Sequence, residues 1–571
     1  MHTVEEPLWF GPSEGPLVGW LTRPADALVR GGVVLAPPIG REARAARRAI
    51  RYLAISLAQH GFVTLRFDYQ GTGDSSGAFE GPLRDRAWVQ SVVEAVKLLR
   101  SLGVTSIAAV GMRLGATLLG QASADHDLAL SSLVLWDPCE SGRSYLRELG
   151  ALEALRRNDV QFDTNAPIET SEFVFTQQAA DDLRRLNLAN LGPGPLADRV
   201  LVVSRDDRPI SKKLSERLDQ EDIKWETTSE QVSLLDIDPL DAVMPEKTMD
   251  RITSWLLEPN DPTQPFGLTD LATTATVFNG RKGDAVREYF VQLGPRQLFG
   301  VVSEPTNEVK GPLIVFINVS NEEHTGPARL WVELSRRWAS HGLRCLRFDL
   351  SGLGDSPWLP RQPAHPLYDQ DWLTDIPDAV NAVSPADPSN VILIGLCSGA
   401  YLAAEGALIL KARGACAINP PVGNDLLHAI SVMETSRRKL VRALAVQLKV
   451  PALRIRWLTA GLFDVCRKVL PSAYKVDLMA TVVKNGTDLM VLASLQDLSP
   501  FPRVPLLRSI DRSRVVAPKN YVAEFVPELD HSMHVVEGRN RAVALLDRHV
   551  LEDFAGVSPR DDLGTPTTEG S

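Results

Sequence analysis

Val391-Ile392-Leu393-Ile394-Gly395-Leu396-Cys397-Ser398-Gly399-Ala400 is the stretch on which the reading of this chain turns. Four apolar, mostly branched residues run into a five-residue turn with a glycine at each end. Small and apolar residues of helical character follow, from Ala400 to Ile409. The expectation is a buried strand, a sharp turn and a helix. Glycines let the backbone pass close to its neighbours, so the middle side chain of the turn, Cys397, is held up and exposed. The following helix points its N-terminus at the same place and favours negative charge there. The alternative for the pentapeptide alone is a small buried cysteine behind a strand.

Working outward, the chain repeats itself at long range. Val18-Gly19-Trp20-Leu21-Thr22-Arg23-Pro24 is echoed by Phe299-Gly300-Val301-Val302-Ser303-Glu304-Pro305. Leu65-Arg66-Phe67-Asp68-Tyr69-Gln70-Gly71-Thr72-Gly73-Asp74-Ser75 is echoed by Leu346-Arg347-Phe348-Asp349-Leu350-Ser351-Gly352-Leu353-Gly354-Asp355-Ser356, and both echoes lie at an offset of 281. A shared offset with shared residues indicates a duplicated domain. Each copy opens with a hairpin (Pro7 to Thr22; Val286 to Ser303). A buried strand follows (Gly32 to Ala36; Leu313 to Ile317), then an Arg-rich amphipathic helix (Ala43 to His60; Ala328 to His341). Strands alternating with helices imply a mostly parallel sheet covered on both faces.

The elbow at Cys397 and the R-F-D-x-x-G-x-G-D-S turns resemble the α/β-hydrolase superfamily, over nearly the whole chain. The resemblance implies two tandem α/β-hydrolase domains: residues 1–257, a linker at 258–278, and a second domain at 279–557 with a polar tail at 558–571. The R-F-D turn is given a structural role, shaping the loop behind the site. The first copy is similar to exosortase-system-associated hydrolases, through Gly111-Met112-Arg113-Leu114-Gly115 and Trp136-Asp137-Pro138-Cys139-Glu140-Ser141-Gly142-Arg143. The second is similar to hydrolases of serine-aminopeptidase type with a G-L-C-S-G-A elbow, although serine is absent from the tip. Cysteine at this place also resembles dienelactone hydrolases and polyhydroxyalkanoate synthases, which implies ester or thioester chemistry.

In this superfamily the catalytic partners follow in the order nucleophile, acid, histidine. Asp488-Leu489-Met490-Val491-Leu492-Ala493-Ser494 reads as the late strand and Asp497 follows it. Glu528-Leu529-Asp530-His531-Ser532-Met533-His534 reads as the histidine loop before a last helix, Asn540 to Phe554. The expected roles are Cys397 as nucleophile, His531 as base and later acid, and Asp497 as the group orienting the imidazole. His534 competes with His531, and Ser398 with Cys397. The oxyanion hole is expected from the backbone N–H of Ser398 and of the loop Asn318-Val319-Ser320-Asn321, through Val319 or Ser320. His324 in that loop is a candidate substrate contact or a plain surface histidine.

The first copy lacks two of the three roles. Arginine at Arg113 is no nucleophile, and no histidine occurs between Asp127 and Glu323. Its expected role is a structural partner; the sharper reading gives Arg113 a ligand carboxylate or phosphate to bind.

Composition bounds the rest. The 571 residues exceed what a single core supports. A net charge of −10 argues against a general nucleic-acid binder. The acidic first residues lack a leader pattern, no apolar run is long enough to span a membrane, and five irregularly spaced cysteines fit a reducing, cytoplasmic setting. Neither metal-ligand spacing nor a dinucleotide fingerprint is present, so no cofactor is expected. Residues 422–484 read as a lid carrying eleven Lys/Arg against four Asp/Glu, with the run Arg437-Arg438-Lys439. Such a run is either a solvated helix face or a rim attracting the phosphates of coenzyme A or a carrier protein. The leading expectation is an acyl-transfer enzyme acting on an ester or thioester. A non-catalytic binding or scaffolding protein is the alternative from another class, and a peptidase the weakest.

Overall fold

The computed structural model describes residues 2–25, 28–81, 83–157, 168–170, 173–192, 194–219, 223–258, 264–267, 270–278, 285–320, 322–359, 369, 371–420, 478–494, 519–554 and 556. Two compact units are present. The first comprises Met1–Val291, Val301–Val309 and Thr325–Arg344; the second comprises Gln292–Gly300, Lys310–His324 and Cys345–Ser571.

The first unit is built on β1 (Thr3–Phe10), β2 (Leu17–Pro24), β3 (Gly31–Ala36), β4 (Phe62–Phe67), β5 (Ile107–Met112), β6 (Ser132–Trp136), β7 (Val200–Arg205) and β8 (Ile223–Thr228). They lie in the order β1-β2-β4-β3-β5-β6-β7-β8. β1, β2 and β4 pair antiparallel, and the remaining pairings are parallel. Its helices include α1 (Arg41–Gln59), α2 (Arg84–Ser101), α3 (Leu114–His126), α4 (Gly142–Arg157) and α5 (Glu246–Leu257). Alternation along β3 explains the layering. Val34 and Ala36 pack in one core layer with residues of α2 and α3, while Val33 and Leu35 pack in the other with α1 and α5. A strand buried on both faces must be apolar throughout, as these are. The apolar positions of α1 (Ala46, Ile50, Leu53, Leu57) form its buried stripe.

The second sheet follows the same plan. Its strands are β9 (Thr274–Phe278), β10 (Ala285–Leu293), β11 (Leu298–Pro305), β12 (Leu313–Phe316), β13 (Arg344–Phe348), β14 (Val391–Leu396), β15 (Gly414–Ile418), β16 (Asp488–Ser494) and β17 (Tyr521–Val526). They run β9-β10-β11-β13-β12-β14-β15-β16-β17, the first sheet's permutation with β9 added at one edge. The fold is therefore α/β with two mostly parallel sheets of α/β-hydrolase type. Helices here are α6 (Leu330–Ser340), α7 (Trp372–Val383), α8 (Ser398–Leu410), α9 (Leu478–Lys484) and α10 (Val536–Asp547). Segment 325–344 belongs to the first unit, where Arg329 Nε donates to Gly73 O at 2.7 Å and Arg336 to Glu288 at 2.7 Å. Among the described residues, no helix is long and apolar enough to cross a membrane.

Two local differences from the sequence reading have physical reasons. The stretch read as linker through residue 278 ends in β9, where the β-prone Thr274-Ala275-Thr276-Val277-Phe278 pairs with β10 and buries Val277. The last helix starts at Val536 rather than Asn540, because Asp530 Oδ1 accepts the N–H of Val535 at 2.8 Å and anchors the helix entry. Asp497, most of the 422–484 segment, and the tail lie outside the described residues.

The elbow packs backbone against backbone. A Cβ on Gly395 would stand 2.0 Å from Gly399 O, and one on Gly399 2.5 Å from Asn318 O. Gly399→Ala is therefore expected to destabilise the protein by about 2 kcal/mol or more. Gly192→Ala, whose Cβ would meet nothing within 4 Å, serves as reference. Urea unfolding followed by circular dichroism measures the difference; equal midpoints would remove the close approach as a requirement.

Candidate active site

Cys397 sits between β14 and α8 with φ 52° and ψ −117°. Non-glycine residues rarely occupy this region, and holding one there costs about 1–3 kcal/mol. The conformation is fixed from both sides. Cys397 N–H donates to Ile418 O of β15 at 2.9 Å, and Cys397 O accepts from Ala400 N–H at 3.0 Å. The thiol is half-buried, and His531 Nε2 lies 3.1 Å from its Sγ. That separation suits proton transfer between thiol and imidazole.

The histidine loop owes its shape to Asp530. Its carboxylate accepts from Val535 N–H at 2.8 Å and lies 3.7 Å from His534 Nδ1. Of the two histidines, His531 thus faces the cysteine and His534 faces Asp530. Gly538 of α10 lets the helix abut the loop, since a Cβ there would be 2.3 Å from Glu528 O. A further support is Asn419, just after β15. Its side chain donates to the carbonyls of Asp530 and His531, both at 3.0 Å, and accepts from Ser494 N–H at 2.8 Å.

On the other side of the elbow lies the loop after β12. Ser398 opens α8, so its N–H is a first-turn donor with no intrahelical acceptor. Ser320 adopts φ 53°, and its N–H donates to Ser398 Oγ at 2.8 Å. Of the two loop donors read from sequence, Ser320 is therefore engaged by the serine side chain, and Val319 stands beside it. Asp349 holds this loop. Its carboxylate accepts from Asn318 Nδ2 at 3.0 Å, His324 N–H at 2.7 Å and Asp355 N–H at 2.9 Å, and pairs with His324 Nδ1 at 2.8 Å. His324 is only 3% exposed and packs edge-on against Phe299. Its contacts are those of a loop anchor, not of a surface histidine. The sequence reading gives the Asp and Gly of the R-F-D turn the role of shaping the loop behind the site, and the bonds that Asp349 makes are visible only in the fold.

The first unit has a turn of the same backbone geometry with a different residue at its tip. Arg113 has φ 54° and ψ −121°, and its N–H donates to Trp136 O at 3.0 Å. The residue is 4% exposed and its side chain meets three carboxylates: Glu42 at 2.8 Å, Glu148 at 2.6 Å and Asp137 at 3.6 Å. Burial opposes the guanidinium charge, but Cys139 and these carboxylates outweigh it and hold the group well above its ordinary range. A cation matched by internal carboxylates has no strong demand for a ligand anion. Elsewhere in this unit Phe79 stacks on Phe173 at 3.8 Å, and Tyr145 Oη donates to Ile39 O at 3.3 Å. Among the described residues, no group of three or more His, Cys, Asp or Glu could hold a metal ion.

Residues 323–550 match the model of the alpha/beta hydrolase family. No curated protein matches the chain. Among solved structures, Est1E from Butyrivibrio proteoclasticus is 16% identical, with a TM-score of 0.33, over 44% of this chain and 98% of that one. The Pyrococcus furiosus esterase is also 16% identical, with a TM-score of 0.33, over 44% of this chain and 90% of that one.

Asp137 gives a test of the first unit's buried network. Burial raises its carboxyl to about 7, against the pull of Arg113 and Arg205. The folded state thus binds this proton more tightly than the unfolded chain. Its contribution is full below the ordinary carboxylate range and is lost as pH rises through about 7. Asp137→Asn should gain on wild type, by up to a few kcal/mol, as pH rises from about 4 to about 7. Urea unfolding at several pH values reads this directly. A stability difference that does not change with pH would contradict it.

Proposed function

We propose that the second unit is an acyl-transfer enzyme acting on an ester or thioester, with Cys397, His531 and Asp497 as its triad. The observation that carries this reading is the 3.1 Å approach of His531 Nε2 to Cys397 Sγ at the tip of a strand-turn-helix elbow. His531 takes the thiol proton as Sγ forms a bond to the acyl carbon. The carbonyl oxygen becomes an oxyanion held by the N–H groups of Ser398 and Val319. Collapse breaks the bond to the leaving oxygen or sulfur, and His531 returns the proton to it. Water or an acceptor, activated by His531, then takes the acyl group from sulfur. Asp497, in the chain after β16, is assigned to orient the imidazole. The match of residues 323–550 to the alpha/beta hydrolase family supports this class of chemistry.

The substrate side rests on chemistry. A thiolate and a thioester lie close in energy, so exchange onto an acceptor is as accessible as hydrolysis. The basic run at Arg437, Arg438 and Lys439 suits a phosphate-bearing acyl carrier, coenzyme A or an acidic carrier protein. We read the first unit as the degenerate copy of a tandem duplication, retained as a non-catalytic partner. Its elbow residue Arg113 is neutralised by Glu42, Asp137 and Glu148.

Turnover of a panel of activated esters and acyl thioesters tests the triad. Cys397→Ala and His531→Ala should each lose about 10²–10⁴-fold, and the double variant should lose no more than the worse single one. Ser398→Ala should retain activity within about tenfold, because its N–H remains. Turnover surviving Cys397→Ala would overturn the proposal.

A further inference from the structure

Asn419 occupies a place that the elbow chemistry does not account for. It follows β15 in a left-handed conformation, φ 44°, which asparagine tolerates better than most residues. It is 2% exposed, and its backbone N–H donates to Leu492 O at 2.7 Å. One planar amide then bridges two segments. Oδ1 accepts from Ser494 N–H at the end of β16, and Nδ2 donates to the carbonyls of both Asp530 and His531. The orientation of the amide is fixed by this pattern, since only Nδ2 can donate and only Oδ1 can accept.

The first unit offers a natural comparison. Asp137 follows β6, the strand next to the elbow strand β5, with φ 47°, and its N–H donates to Val203 O at 2.7 Å. A carboxylate at this position cannot donate to carbonyls. Asp137 instead faces Arg113 at 3.6 Å, in a copy with no histidine between Asp127 and Glu323. The same backbone corner thus carries an amide where a histidine loop must be held and an acid where there is none.

We infer that Asn419 is a positioning residue for His531, clamping the backbone of the histidine loop to the end of β16 so that Nε2 reaches Cys397. The inference rests on the proposed Cys397–His531 chemistry. An ångström of misplacement between reacting groups can cost on the order of 100-fold. Asn419 touches neither sulfur nor substrate; it acts through the loop.

The test is the rate at which Cys397 is alkylated by iodoacetamide near neutral pH, followed by mass spectrometry of the Cys397 peptide. It uses the full-length protein as wild type, His531→Ala, Asn419→Asp, Asn419→Gly and the two double variants. Asn419→Asp keeps size and turn preference and, once ionised, loses the donor; Asn419→Gly keeps the backbone and loses the whole clamp. Each is expected to slow alkylation by about 10- to 100-fold in the His531 background. Neither should add a further loss in the His531→Ala background. A purely structural role would lower the unfolding midpoint while leaving alkylation unchanged, or would slow it equally in both backgrounds; either result overturns the inference. If His531→Ala itself leaves alkylation unchanged, the proposed chemistry fails and Asn419 has no histidine to position. The two failures are read from different variants.

Discussion

Everything at the candidate site depends on one residue held where residues with a side chain seldom go. Cys397 at φ 52° closes a strand into a helix within a turn so tight that only glycines fit at its two ends, Gly395 and Gly399. The same geometry recurs at Arg113, with φ 54° and the same backbone bond to the neighbouring strand. Two elbows of matching conformation with unlike side chains separate two requirements. The turn belongs to the fold, and the residue at its tip decides what chemistry can be attempted there.

The strained turn is useful only if the loops around it are equally fixed, and buried polar groups do that work. Asp349 gathers donors from Asn318, His324 and Asp355, holding the loop after β12 against the elbow. Asn419 does the same on the histidine side. Fully satisfied networks of this kind rigidify, because leaving any member unpaired in a low-dielectric interior costs more than the bond contributes. In the first unit the corresponding polar groups turn inward. Arg113 pairs with Glu42 and Glu148 and stands 3.6 Å from Asp137.

How much of this was legible beforehand varies with the kind of signal. Apolar runs such as Val391–Ile394 and Asp488–Ser494 marked strands because a strand covered on both faces must be apolar throughout. The paired R-F-D turns revealed the shared plan of the two sheets because they recur at one offset. Choosing His531 over His534 by sequence rests on the Asp530-His531-Ser532 pattern, whereas the fold shows their directions, His531 toward Cys397 and His534 toward Asp530. Ser320 was read as a backbone donor, and only the folded loop shows its N–H turned to the Ser398 hydroxyl. Asn419 marked no more than the edge of an insertion, since bridges between residues more than a hundred positions apart leave no trace in composition or periodicity. The β9 strand was missed for a related reason: its partner β10 supplies what the isolated segment lacks.

The most direct test of the central claim is intact-protein mass spectrometry after exposure to a panel of acyl thioesters, with tandem sequencing of the modified peptide. The account predicts one acyl adduct on Cys397 of the wild-type protein, absent in Cys397→Ala and slow to form in His531→Ala. An adduct on Ser398, or no adduct from any donor while Cys397 alkylates no faster than an ordinary free thiol, would contradict it.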